Sequence, residues 1–267
     1  MAARGIDTHA HLFLEAFAHD IEAVTHRAQA VCEAVLLPNL DVHTLPTLQE
    51  LTQRFPGFYH GMLGLHPTHV REDFHEQLAK LRSALTQGSW VAIGEVGLDA
   101  YHDAATLPRQ REALHIQAEW ARETGLPLSI HFRAALDDTL EVLKPFRGEV
   151  RGVFHCFTGD REEAFRILNA GFVVGLGGVV TFKNAPALHE AVQHLPAGSF
   201  VLETDSPYLS PHPYRGRRNE SSYLTFIARA VAALRGVPVE RIYEETTATA
   251  RQIFPLKNKG WDRSPHP

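Results

Sequence analysis

Four imidazoles and two carboxylates stand at the ends of apolar, β-prone runs in this sequence: His9, His11, Glu95, His131, His155 and Asp205. Together they could hold divalent metal ions. His9 and His11 are two residues apart, so in extended chain both point to one side, a chelating arrangement for imidazoles. Two histidines on a buried, inward-facing strand would be costly without a partner. Glu95 sits inside the run Gly94-Glu95-Val96-Gly97-Leu98-Asp99, where an interior position would demand a cation or a hydrogen-bond partner. Taken singly, Glu95 could face solvent, and His131 and His155 could be satisfied core residues. The combination narrows the choice. Imidazole nitrogen with carboxylate oxygen and no thiolate suits a catalytic site for Zn, Mn, Fe, Ni or Mg, not a closed structural zinc.

Such a set needs a scaffold that gathers strand ends. Short β-rich runs alternate with amphipathic helical stretches along the chain, the pattern of βαβ units around a parallel sheet. The expected strands are Gly5–Asp7, Cys32–Pro38, Tyr59–Leu65, Val91–Val96, Pro127–Phe132, Gly152–Phe157, Phe172–Leu176 and Phe200–Glu203. The expected helices are Glu15–Ala30, Thr44–Phe55, Glu72–Thr86, Pro108–Thr124, Ala134–Pro145, Arg161–Ala170, Ala187–His194 and Ser221–Arg235, with Val239–Phe254 as an extra terminal helix. Proline near the start of the fourth helix and Gly125 after its end fit the usual punctuation. Eight strand–helix pairs predict an α/β fold, a single (β/α)8 TIM barrel over residues 1–267 with a loose tail at 256–267. An open doubly wound sheet is the alternative, but no glycine-rich phosphate loop follows the first strand. In a barrel, chemistry gathers past the C-terminal strand ends, where the six residues fall.

The 267 residues suffice for one barrel domain. Net charge is −5 with neutral histidines, so there is no global basic footprint for nucleic acid, although bound metals and local arginines can supply positive charge at a phosphate. Of the 17 histidines, His19, His26, His43, His75, His189 and His194 lie in helical or loop patterns with no partner motif and are expected at the surface. Cys32 and Cys156, the two cysteines, give no disulfide framework and fit a reducing compartment. No apolar run approaches the roughly 18 residues of a membrane span. The first residues run straight into a strand, leaving no room for a signal peptide. The cytoplasm is the expected location.

The ordered series His9-x-His11, Gly64-Leu65-His66-Pro67, Gly94–Asp99, Ile130–Arg133, His155-Cys156-Phe157-Thr158-Gly159, Gly178–Ala185, Glu203–Leu209 and Arg215-Gly216-Arg217-Arg218-Asn219-Glu220 resembles the TatD family of metal-dependent deoxyribonucleases over nearly the whole chain. Departures are Ser221 where the family often has proline, Thr249 where asparagine is usual, and Arg217 where lysine is common. None touches an expected ligand. The resemblance implies an amidohydrolase-like TIM barrel with two divalent ions, Zn, Mn, Mg or similar. His9, His11 and Asp205 would hold one, His131 and His155 the other, and Glu95 would bridge both, since no lysine is available in that run.

The activity expected from this resemblance is phosphodiester hydrolysis in DNA, as a 3'-5' exonuclease on single strands, with RNA also possible as substrate. Asp205 would be both ligand and general base, beside Glu95. Arg133, His66, Lys183, Arg215 and Arg217 are the candidate substrate contacts, the arginines through bidentate bonds to phosphate. Tyr101 and Tyr208 could stack on a base or simply pack. No obligate protein partner and no membrane are expected. One alternative keeps the site and changes the bond to an ester or amide, such as an aminoacyl-RNA linkage. Another is a metal-binding scaffold without turnover.

Overall fold

The computed structural model describes residues 3–102 and 104–256. Eight parallel strands alternate with helices: β1 (Gly5–Asp7), α1 (Ile21–Gln29), β2 (Cys32–Pro38), α2 (Leu45–Arg54), β3 (Tyr59–Met62), α3 (Phe74–Gln87), β4 (Ile93–Asp99), α4 (Leu107–Thr124), β5 (Leu128–Arg133), α5 (Leu136–Leu143), β6 (Gly152–Phe154), α6 (Arg161–Asn169), β7 (Val173–Leu176), α7 (Pro186–His194), β8 (Phe200–Leu202) and α8 (Leu224–Arg235). A further helix, α9 (Val239–Ile253), follows. The expected tail falls, Leu256 apart, outside the described residues.

Strands pair in chain order, β1-β2-β3 and β4-β5-β6-β7-β8. Backbone bonds join these groups at both seams. Between β3 and β4, Leu63 donates to the Ala92 carbonyl at 3.1 Å and Gly94 donates to that of Leu63 at 3.0 Å. Between β8 and β1, Thr8 donates to Leu202 at 3.1 Å and Asp205 to His9 at 2.8 Å. The wholly buried Asp7 strengthens this second seam by accepting the Thr204 N–H at 2.9 Å and its hydroxyl at 2.6 Å. The result is a (β/α)8 barrel.

Alternation along the strands builds two apolar cores. In β2, Val35 and Leu37 join the large layer beneath the helices, while Ala34 and Leu36 join a smaller cluster with Ile6, Met62, Ala92, Val153 and Val201. Helix α9 completes that smaller cluster with Ala250, Ile253 and Phe254. This anchoring explains why the last helix exists although eight suffice for the ring.

Boundaries shift where side chains intervene. The first helix starts at Ile21 and not at Glu15, because the chain makes a short 3-10 turn at Glu15–Phe17. Both Asp20 carboxylate oxygens are held there by Arg218, at 2.8 and 2.6 Å. Strand β6 stops at Phe154, short of the expected Phe157, because Cys156 turns to φ 52°. Strand β4 runs on to Asp99, which stays in register with Arg133 of β5. Helix α4 ends as its sequence predicts, with Gly125 at φ 69°.

Candidate metal centre

One carboxylate organises the strand ends. Glu95, on β4 and 2% exposed, directs its two oxygens at two sets of imidazoles. Its Oε2 lies 3.2 Å from His9 Nε2 and 3.4 Å from His11 Nε2. Asp205 joins that side, with Oδ1 3.5 Å from His11 Nε2 and 4.0 Å from His9 Nε2. The Oε1 atom lies 2.8 Å from His155 Nε2, 3.1 Å from His131 Nδ1 and 3.2 Å from His66 Nε2. All six residues singled out from sequence therefore meet, and His66 meets them too.

The outer nitrogens of His9 and His131 are held by groups that the sequence reading passed over, and a third such group lies near His155. His9 Nδ1 is 3.2 Å from the Ser129 hydroxyl. His131 Nε2 is 2.9 Å from Asp99 Oδ2, which also takes His102 Nδ1 at 2.8 Å. Glu203, fully buried, accepts the Cys156 N–H through Oε1, which lies 3.7 Å from His155 Nδ1. Such carboxylate partners fix the ring orientation and tautomer of a metal-binding histidine. Asp99 and Glu203 both stood inside motifs already noticed, but nothing in their spacing said which ring each would meet.

Backbone shape contributes as well. Ala134, Cys156 and Asp205 have φ of 53°, 52° and 56°, a left-handed conformation uncommon outside glycine. All three follow strand ends at this mouth, where such strain tends to accumulate in functional sites. Gly97, at φ 136°, lets β4 approach β5 closely; a Cβ there would sit 1.9 Å from the His131 carbonyl oxygen. Gly175 makes room for the Glu203 carboxylate, since its Cβ would lie 2.2 Å from Oε2.

Electrostatics favour a cation. Burial alone would raise the carboxyls of Glu95 and Asp205, but the surrounding histidines hold both below their ordinary values. Burial lowers His9, helped by repulsion from His155, and lowers His66 to about 4 against the pull of Glu95. Both imidazoles are then neutral at pH 7, the form that binds metal. Burial also opposes charge on His131 and His155, yet the carboxylates beside them raise both. Each of three groups has ligand atoms close enough to share an ion: His9/His11/Asp205, His66/Glu95/His131 and His9/His155/Glu203. His11 Nδ1, His155 Nδ1 and Glu203 Oε2 are buried without hydrogen-bond partners among the described residues. A nitrogen-and-oxygen donor set with ionised carboxylates and orphaned polar atoms fits divalent cations.

The centre opens into a cleft of about 1570 Å³. Arg133 lines it, with its guanidinium 4.1 Å from the centre of the exposed Tyr101 ring. His66, expected as a substrate contact, does two things. Its Nδ1 caps a short turn, accepting the Thr68 N–H at 3.1 Å, while Nε2 faces Glu95. Tyr208 also lines the cleft and is 53% exposed. Lys183, Arg215 and Arg217 are exposed but lie outside the cleft lining. Lys183 follows β7, and the two arginines stand on the loop after β8, which is tied to the chain around α1 by Arg218 pairing with Asp20 and Glu220 pairing with Arg27, both at 2.6 Å. Cys32 and Cys156 are both free thiols.

The fold and the centre have counterparts. Residues 6–255 match the family model described as TatD related DNase. The chain is 37% identical over 250 residues to an uncharacterized metal-dependent hydrolase, YabD, of Bacillus subtilis, covering 93% of this chain and 98% of the relative. It is 36% identical over 247 residues to the 3'-5' ssDNA/RNA exonuclease TatD of Erwinia billingiae, covering 90% and 95% of the two chains. The crystal structure of YjjV, a TatD homologue from Escherichia coli K12, superposes with a TM-score of 0.90 at 28% identity, over 96% of this chain and all of the other. With the family model spanning both seams of the barrel and every residue around Glu95, the chain belongs to the TatD family of metal-dependent hydrolases.

Proposed function

We propose that this hydrolase cleaves phosphodiester bonds in single-stranded nucleic acid, shortening DNA from its 3' end, with two divalent ions at the Glu95 centre. The observation that carries the reading is the division of imidazoles between the two oxygens of Glu95. His9, His11 and Asp205 would hold one ion and His131 and His155 the other, with Glu95 placed to serve both. His66 shares Oε1 with the second set, and because its Nδ1 accepts the Thr68 N–H, its Nε2 carries a proton that can be donated to a phosphate oxygen at the centre. The Erwinia relative, named for single-stranded DNA and RNA, supports the substrate class. The two free cysteines support a reducing, cytoplasmic setting. We take residues 1–267 as one catalytic domain without an obligate protein partner.

Bound divalent ions would polarise a phosphoryl oxygen and bring the pKa of water toward about 7. The protein's part is orientation and proton transfer. Asp205 is ionised and held by His11 and His9, so it can orient the attacking water and accept its proton. Arg133 stands at the cleft wall, its guanidinium steadied on Tyr101, and offers two parallel N–H groups to phosphate.

The test is hydrolysis of end-labelled single-stranded DNA by metal-stripped protein reloaded separately with Mg, Mn and Zn. Stepwise, metal-dependent shortening that fails in Asp205→Asn supports the proposal. Intact DNA, despite two bound ions per chain, refutes it and directs attention to aminoacyl-RNA esters.

A further inference from the structure

The cations that miss the cleft form a surface of their own. Among the described residues, no carboxylate pairs with Lys183, Arg215 or Arg217, whereas Arg27, Arg82, Arg111, Arg166 and Arg218 all face one. Three exposed charges without an acidic partner stand on two linked loops of a chain whose net charge is −5. Their side chains are nevertheless braced. Arg215 lies 3.6 Å above the Phe182 ring, and Arg217 lies 5.9 Å from that of Tyr214. Tyr214 in turn stacks on Tyr223, with ring centres 4.4 Å apart.

The patch is continuous with the catalytic mouth. It belongs to the loops after β7 and β8, and the same two loops supply Val179, Tyr208 and Leu209 to the cleft wall. These loops are fixed to one another and to the barrel. His212 donates its N–H to the Thr181 hydroxyl at 2.8 Å, and the buried Asn219 amide donates to the carbonyls of Thr204 and Tyr208, both at 2.7 Å. The two exposed apolar side chains on the intervening rim, Tyr208 and Leu209, offer a surface that a nucleobase can cover. Guanidinium groups steadied on aromatic rings, next to an apolar rim, suit a flexible polyphosphate chain carrying bases.

We infer that Lys183, Arg215 and Arg217 form an exosite that grips the backbone of a single-stranded nucleic acid several nucleotides away from the bond being cut. The inference rests on the proposed nuclease reading and extends it: the cleft cuts, and the outer loops hold the strand that remains. An anion reaching only the metal centre would not touch these residues, so their contribution must grow with strand length.

The experiment is fluorescence anisotropy of labelled, all-phosphorothioate dT20 and dT3 with the metal-loaded protein across a salt series. Each backbone contact to a single strand adds about 0.7 to the slope of log Kd against log salt. The Lys183→Gln/Arg215→Gln/Arg217→Gln variant should therefore lose about 2 from the dT20 slope. Extrapolated from a common value at 1 M, its Kd for dT20 at 0.15 M salt rises about 50-fold. The advantage of dT20 over dT3 should shrink accordingly. Arg215→Lys/Arg217→Lys keeps the charge and should keep the slope, which guards against a folding artefact. An unchanged slope and an unchanged length preference in the glutamine variant overturn the inference. The nuclease reading fails separately, if metal-loaded wild type leaves ordinary dT20 intact while the slope still drops in the variant.

Discussion

Asp99→Asn should weaken one ion of the pair and spare the other. Asp99 uses its oxygens differently. Oδ1 accepts the backbone N–H groups of Tyr101 and His102 at 3.0 and 2.8 Å, and Oδ2 receives His131 Nε2 at 2.9 Å. An asparagine keeps its carbonyl oxygen on the two backbone donors, so its NH2 group faces His131 Nε2. That nitrogen must then act as acceptor, which places the imidazole proton on Nδ1, the nitrogen aimed at Glu95 Oε1. The substitution thus reverses the tautomer that a metal ligand needs. A hydrogen bond to a charged group is worth about 1.5–3 kcal/mol, which corresponds to a rise of about 10- to 150-fold in one dissociation constant. Competition between the protein and a fluorescent zinc chelator resolves the two sites. Equal weakening of both ions, or a change below about threefold, would show that Asp99 does not act through His131.

Glu95→Gln removes the carboxylate shared by both sets, and elemental analysis should find fewer than two ions per chain. Its turnover should fall by more than about 100-fold, beyond the range of outer-sphere substitutions; a variant that retains two tightly bound ions contradicts the bridging role. Gly175→Ala pushes a methyl group against Glu203 Oε2, and overpacking of this kind costs about 1–3 kcal/mol, readable as a lower urea midpoint; an unchanged midpoint would mean that Glu203 moves freely. Burial alone would raise Glu220, but hydrogen bonds from Arg27 and Ser222 hold it below the ordinary 4.5. A carboxyl depressed in the folded state stabilises above its unfolded pKa and loses that contribution as pH falls through the folded value. The difference in urea midpoint between wild type and Glu220→Gln should accordingly be present at pH 7 and vanish toward pH 3, and a pH-independent difference contradicts the Arg27 pairing.

Much of the scaffold was legible because each strand is a short apolar run between punctuating residues, and because a barrel puts chemistry at strand ends. His9, Glu95, His155 and Asp205 could be read for that reason: each is a polar residue where the flanking pattern demands burial. The supporting residues could not. Asp99 looks like any acid before a turn until His131, 32 residues later, arrives at 2.9 Å. Glu203 sits beside Asp205 in sequence, yet Asp205 turns left-handed into the cleft while Glu203 stays buried against the Cys156 amide. The arginine loop was legible as basic but not in direction, since its course depends on Arg218 and Glu220 meeting α1. His66 was legible as a site residue, but not that one ring nitrogen would cap a turn while the other faced Glu95.

The bonds between Asp7 and Thr204 tie the beginning of the chain to a point 197 residues later. During synthesis at about 5–20 residues per second, roughly 10–40 s separate the emergence of the two. For that interval β1 can pair with β2 on one side only, and Asp7 lacks the hydroxyl and amide that satisfy it in the finished barrel. The nascent chain therefore presents an open strand edge, the kind of surface that invites foreign pairing. Ring closure, and with it the meeting of His9, His11 and Asp205, must wait until Thr204 has been made. A chain stalled before Thr204 leaves the ribosome with every imidazole of the centre in place in its sequence and no centre to put them in.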